Sequence, residues 1–209
     1  MRGWEGYARA RAALLTDHVL TSGQLLRLGA DPSKFPSITE NVRTSNNYFS
    51  ERVITFHALQ DKTLQRLKGT QLAHLAGVAE MRWELGVEPG EHWQSAGHAL
   101  NARLKPDAMW LRPGKAAGLI EFDSGDYTRR TIHDKLRHFR PEGEVFWGMT
   151  SALRMSRWVS QYPDVRFMVA LWWQGPEERY ELTQALDGSG QVITRNAKAL
   201  ERNRLRYRD

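Results

Sequence analysis

Apolar residues recur at helical spacing over residues 5–16, where Tyr7, Ala10, Leu14 and Leu15 share one side. After Thr21-Ser22, the stretch GQLLRLG predicts a short helix carrying Leu25, Leu26 and Leu28 and stopped by Gly29. ADPSKFPS, rich in Pro and Ser, is a turn. SITENVRTSNNYF then reads as a polar helix with Ile38 and Val42 inward and Thr39, Arg43, Asn46 and Asn47 outward. Two short helices around a tight turn, the second exposed and polar, describe a helix-turn-helix. ERVITFHAL follows as an extended segment with Val53, Ile54 and Phe56, which suggests a winged variant. DKTLQRLK, residues 61–68, is another short helix, ended by Gly69. From Thr70 to Leu85 the pattern is strongly helical, with Leu72, Leu75, Ala79 and Met81 or Trp83 forming a buried stripe. The change of element type places a boundary near residue 69, dividing the chain into residues 1–69 and 70–209.

Beyond that helix the period changes. Residues 91–104 carry little pattern beyond a strand around Trp93. Ala108–Leu111 reads as a strand, Pro113-Gly114 as a turn, and Gly118–Asp123 as the antiparallel partner strand. A helix from Thr128 to about Phe139 buries Ile132, Leu136 and Phe139. EVFWGM is a third strand, Ser151–Tyr162 a helix, and RFMVALWW a nearly continuous apolar strand of the kind found at a sheet centre. The fold class expected is α/β, more narrowly α+β.

Composition narrows the function classes. The chain of 209 residues carries a net charge of +6, which favours a polyanionic partner. It contains no Cys, so disulfides, thiolate zinc sites and Cys nucleophiles are excluded together. Eight Trp residues argue for a packed fold. No apolar run reaches the roughly 20 residues needed to span a bilayer. The opening MRGWEGYARARAALL is broken by Arg and Gly and predicts no secretory leader. The expectation is a cytoplasmic protein without membrane association.

The candidate chemistry lies between Lys105 and Phe139. Asp107 opens one strand, and Glu121 and Asp123 stand two residues apart on the next, so both point to one face. Lys135 follows on a helix. Converging carboxylates suit Mg²⁺, with Mn²⁺ as a substitute, because such ions take oxygen ligands and keep waters for a substrate phosphate. A nearby lysine can hold that phosphate. The same spacing also fits a β-hairpin with solvated charges at its ends. Candidate DNA contacts are Lys34, Thr39, Arg43, Asn46, Asn47 and Arg52. His92 and His98 read more readily as solvated loop residues than as ligands. The tail RNAKALERNRLRYRD is basic and suits either phosphate contact or a solvated helix end.

The helix AHLAGVAEMRWEL, PDA at 106–108, IEFDSGDYT at 120–128 and KLRHF at 135–139 together resemble the replication-relaxation family of plasmid and mobile-element proteins. The resemblance covers roughly residues 15–175. It implies a winged helix-turn-helix followed by a PD-(D/E)xK nuclease-like αβββαβ domain. It further implies that Asp107 and Glu121 bind metal and that Glu80 matches the helix glutamate some members contribute. The departure is E-F-D where the nuclease strand has E-x-K, which leaves Lys135 to supply the charge from the following helix. Asp123 then either adds a ligand or marks a fold that has lost catalysis. Three readings stay open: a Mg²⁺-dependent endonuclease; a non-catalytic DNA-binding adaptor of replication, relaxation or transfer; and a regulator whose Trp147, Trp172 and Trp173 meet a protein partner. A homodimer on two half-sites is the expected assembly for a helix-turn-helix protein.

Overall fold

The computed structural model describes residues 2–44, 51–96, 105–176 and 185–186. The architecture is mixed α and β, with two sheets. The first half comprises α1 (Arg2–Asp17), β1 (Leu20–Thr21), α2 (Ser22–Arg27), a single 3₁₀ turn (Pro32–Lys34), β2 (Ser37–Arg43), β3 (Glu51–His57) and the short α3 (Asp61–Gln65). Its three strands pair antiparallel in the order β1-β3-β2. Thr21 caps α2: its Oγ1 accepts from Gln24 N at 3.1 Å, and Gln24 Oε1 accepts from Thr21 N at 2.9 Å.

The polar helix expected over 37–49 is not there. Residues 37–43 are strand β2, with Ile38 opposite Phe56 and Val42 opposite Arg52. Ile38 and Val42 are four apart, a spacing that puts both on one face of a helix and also on one face of a strand. Alternation decides between them. Ile38, Glu40 and Val42 are the less exposed positions, and Ser37, Thr39, Asn41 and Arg43 face outward. The paired strand ERVITFH, with its β-branched residues, supplies the ladder. Asn46 and Asn47 lie outside the described residues.

The second half starts with α4 (Gly69–Glu84) and continues through β4 (Trp93–Ser95), β5 (Ala108–Trp110), β6 (Gly118–Asp123), α5 (Arg129–Phe139), β7 (Glu144–Met149), α6 (Ala152–Val159), β8 (Arg166–Val169) and β9 (Ala185–Leu186). The strands form one six-stranded sheet in the order β4-β5-β6-β7-β8-β9. Its centre, β6-β7-β8, is parallel, with α5 and α6 as the crossovers; β4, β5 and β9 add antiparallel edges. The apolar strand expected to reach Trp173 ends at Val169.

Helix α4 covers one face of this sheet and α5 and α6 the other. The approach of α4 is close because Gly77 has no side chain. A Cβ there would lie 2.2 Å from the Phe122 ring. The core under α4 does not stop at residue 69: it joins Val19, Val42, Phe56 and Leu64 to Leu72, Phe122, Met168 and Trp172. No helix among the described residues is long and apolar enough to cross a membrane.

Candidate active site

The tip of β6 and the residues around it gather the ionisable groups. Glu121 is fully buried on the α5 side, where Lys135 Nζ contacts its Oε1 and Tyr127 Oη donates to the same oxygen at 2.7 Å. Lys135 Nζ also lies 3.2 Å from Tyr127 Oη and 4.9 Å from the Tyr127 ring centroid. Glu121 Oε2 is buried and has no hydrogen-bond partner among the described residues. Asp107 stands at the entry to β5. Its Oδ2 accepts from Phe122 N at 2.8 Å, and His74 Nε2 of α4 lies 3.0 Å from its Oδ1.

These groups perturb one another. Burial, then the Asp107 charge, pushes the Glu121 carboxyl up to about 8, against the opposing pull of Lys135 and Tyr127. Burial disfavours a charged His74, but the Asp107 carboxylate outweighs it and the His74 pKa is raised. Burial and the neighbouring carboxylates Glu121 and Asp107 push the Tyr127 phenol up, so it is a donor at neutral pH.

Asp123 shares the face of Glu121 but not its role. Its Oδ1 accepts from Gly125 N at 2.8 Å and Tyr127 N at 3.3 Å, and its Oδ2 accepts from Arg154 Nη2 at 2.7 Å. The same Arg154 nitrogen reaches Tyr127 O at 2.7 Å. Asp123 therefore ties the loop between β6 and α5 and sets Tyr127 against Glu121. The expectation that it assists catalysis rests on the sequence.

Glu80, expected from the resemblance as a metal ligand, pairs with residues of α2. It is fully buried on α4, but its oxygens accept from Arg27 Nη1 at 2.8 Å and Gln24 Nε2 at 2.9 Å. Two helical turns separate it from the end of α4 that reaches Asp107. His74, six residues nearer the N-terminus, is the α4 side chain that reaches the site instead. In the sequence its one signal was a lone ring in an otherwise apolar LAHLAG. Tyr127 and Arg154 were also missed, since no local spacing relates them to Glu121 and Asp123.

The candidate DNA contacts fall on different surfaces. Lys34 ends the 3₁₀ turn. Thr39 and Arg43 face outward on β2, where Thr39 Oγ1 lies 3.0 Å from Thr55 Oγ1 and Arg43 pairs with Glu51 at 3.6 Å. Arg52 sits opposite Val42, hence on the other face of the hairpin, with its guanidinium 5.8 Å from the Trp173 ring centroid.

A cleft of about 840 Å³ opens between the β2–β3 hairpin, the first turn of α4 and the Asp107–Lys135 cluster. His74, Asp107, Tyr127 and Lys135 line it, as do Arg43 and Lys68. Among the described residues no group of three His, Asp or Glu side chains is arranged to hold a metal ion. Two carboxylates are available. Asp107 lies near enough to raise the Glu121 pKa, and Glu121 retains a buried oxygen without a partner. That donor set fits a hard divalent ion that brings most of its ligands as water. No protein-family model, curated protein or solved structure matches this chain.

Proposed function

We propose that the chain is a nucleic-acid-binding protein of the replication-relaxation type, with a nuclease-like site that cleaves phosphodiester bonds with the help of Mg²⁺ or Mn²⁺. One observation carries this reading: Asp107, ahead of β5, and Lys135 of α5 line a single cleft, and Lys135 is paired behind it with the buried Glu121 of β6. Further support comes from the order helix, antiparallel hairpin, crossover helix and parallel strand that runs from α4 to β7, as a PD-(D/E)xK-like domain requires. A strand, a helix and a β-hairpin after α1 support the winged part, while the polar helix expected as the second of the motif is strand β2.

Asp107 and Glu121 would hold the ion, which when bound polarises a phosphoryl oxygen and lowers the pKa of water. The chain's own residues do the rest. Phe122 N holds one oxygen of Asp107 and the charge of His74 stands 3.0 Å from the other, so its carboxylate is oriented before substrate arrives. Tyr127 and Lys135 hold Glu121 Oε1, leaving Oε2 buried and without a hydrogen-bond partner among the described residues. Lys135 is the cation paired with Glu121 and lines the cleft, so an entering phosphate competes with Glu121 for its Nζ.

Supercoiled plasmid incubated with Mg²⁺ tests this reading. The parent nicks it, and Asp107→Asn loses at least about two orders of magnitude in rate, the scale of removing a charge-stabilising group. Equal nicking by the variant would place the activity elsewhere.

A second reading keeps the DNA binding and drops the chemistry. Its support is that Lys135 and Arg154 both rest on buried carboxylates, and that Asp123 occupies the position where a strand lysine was expected. On that reading DNA binding needs no divalent ion and survives Asp107→Asn.

A further inference from the structure

The reacting groups are recessed. The side chains of His74, Asp107, Lys135 and Glu121 keep only 17, 10, 9 and 0% of their exposure. They lie beside a cleft with two walls. The β2–β3 hairpin forms one through Asn41 and Arg43; the loop at Tyr127 and the first turns of α5 at Thr131 form the other. Two exposed lysines, Lys68 at the start of α4 and Lys105 ahead of Asp107, also border it, and the carboxylates Glu40, Glu51 and Asp126 line it as well, so a strand follows the lysine side.

A relaxed, fully paired duplex does not suit such a site, whereas a supercoiled plasmid offers transiently unpaired stretches to it. The two backbones of the paired duplex stand apart across a major groove about 12 Å wide, and it bends little over a few base pairs. A scissile phosphate on that rod is reached by groups that project, whereas these are sunk between walls. A single strand has free backbone torsions and can bend into a walled cleft. The cleft volume of about 840 Å³ is that of a pocket enclosing a ligand of a few rings. Such a ligand is a short run of nucleotides. The bordering lysines are placed to meet the phosphates on either side of it.

We propose that the substrate of this site is single-stranded nucleic acid, or a single-stranded flap, threaded between the hairpin and the end of β6, with Lys68 and Lys105 gripping its backbone. This rests on the phosphodiester-site reading above and adds the form of the substrate.

The test uses a short fluorescein-labelled oligonucleotide as a single strand, as a blunt duplex and as a duplex with a single-stranded flap. Binding is followed by anisotropy in EDTA, and cleavage after adding Mg²⁺. The single strand and the flap are expected to bind at least about ten-fold more tightly than the blunt duplex, with cuts confined to unpaired nucleotides. A blunt duplex bound and cut as well as the single strand overturns this proposal and leaves the phosphodiester reading standing. No binding to any of the three at low salt overturns both. The double variant Lys68→Glu, Lys105→Glu should bind the single strand about ten-fold more weakly, with a salt dependence shallower by about one to two phosphate contacts. Unchanged affinity in a folded double variant would put the strand outside this cleft.

Discussion

Two carboxylates on β6, two residues apart and on one face, end up with opposite duties. Glu121 keeps an oxygen without a partner, whereas Asp123 has its lone pairs taken by Arg154 and two backbone N–H groups. Truncating Arg154 to Ala leaves Asp123 as a buried anion with only those two donors. A loss of about 3 kcal/mol is expected, at the lower end for a broken buried pair because Arg154 is itself 19% exposed. A urea midpoint unchanged from the parent would show that the pair contributes little. Another buried side chain gives a pH signature. His57, whose Nε2 lies 2.8 Å from Ser22 Oγ, has its pKa lowered from 6.5, chiefly by burial. The unfolded chain takes up the proton more readily, so stability is full above about pH 6.5 and declines as the pH falls from there toward the folded-state value. His57→Gln should flatten the thermal-stability curve over that range; a slope equal to the parent's would assign the effect to other groups.

At the scale of elements, α4 is the link between core and site. It presents Gly77 to Phe122 and His74 to Asp107 about one turn apart. Since Phe122 also lends its N–H to Asp107, the seating of α4 on β6 sets the geometry of the carboxylate. Gly77→Ala gains helix propensity of about 1 kcal/mol but drives a methyl into a ring it cannot clear. A net destabilisation of about 1–3 kcal/mol is expected, together with slower nicking as Asp107 shifts. A variant at least as stable as the parent would mean that Phe122 yields without cost. The helix expected at 37–49 shows the opposite limit of element-level reading. Ile38 and Val42 satisfied both periods, and the pairing with β3, eight or more residues away, decided between them.

Across the whole molecule, the junction near residue 69 is bridged by more than the chain. The core under α4 draws residues from both halves. Arg82 of α4 binds Asp17 of α1 through Nε at 2.9 Å and Nη2 at 2.7 Å, and donates to Val87 O at 2.6 Å. Glu80 binds Arg27 and Gln24 of α2. These contacts predict one cooperative unfolding transition, with equal calorimetric and van't Hoff enthalpies. Two resolved transitions, one abolished by deleting residues 1–68, would make the halves independent.

What the sequence determined by itself was whatever depends on local period and short spacing. The antiparallel hairpin around Pro113-Gly114, the helices at 70–85 and 129–139 and the shared face of Glu121 and Asp123 follow from side-chain direction in strands and helices. Asp107, Glu121 and Lys135 could be nominated together because one hairpin and one helix join them within 29 residues, from 107 to 135. Only the tertiary structure decided partners distant in the chain. Asp123 meets Arg154, Asp107 meets His74, and Glu80 is drawn to Arg27. Those choices turn on which charges are buried together, since a buried charge must find its complement wherever the fold delivers one. Packing sets that arrangement, and no local pattern encodes it.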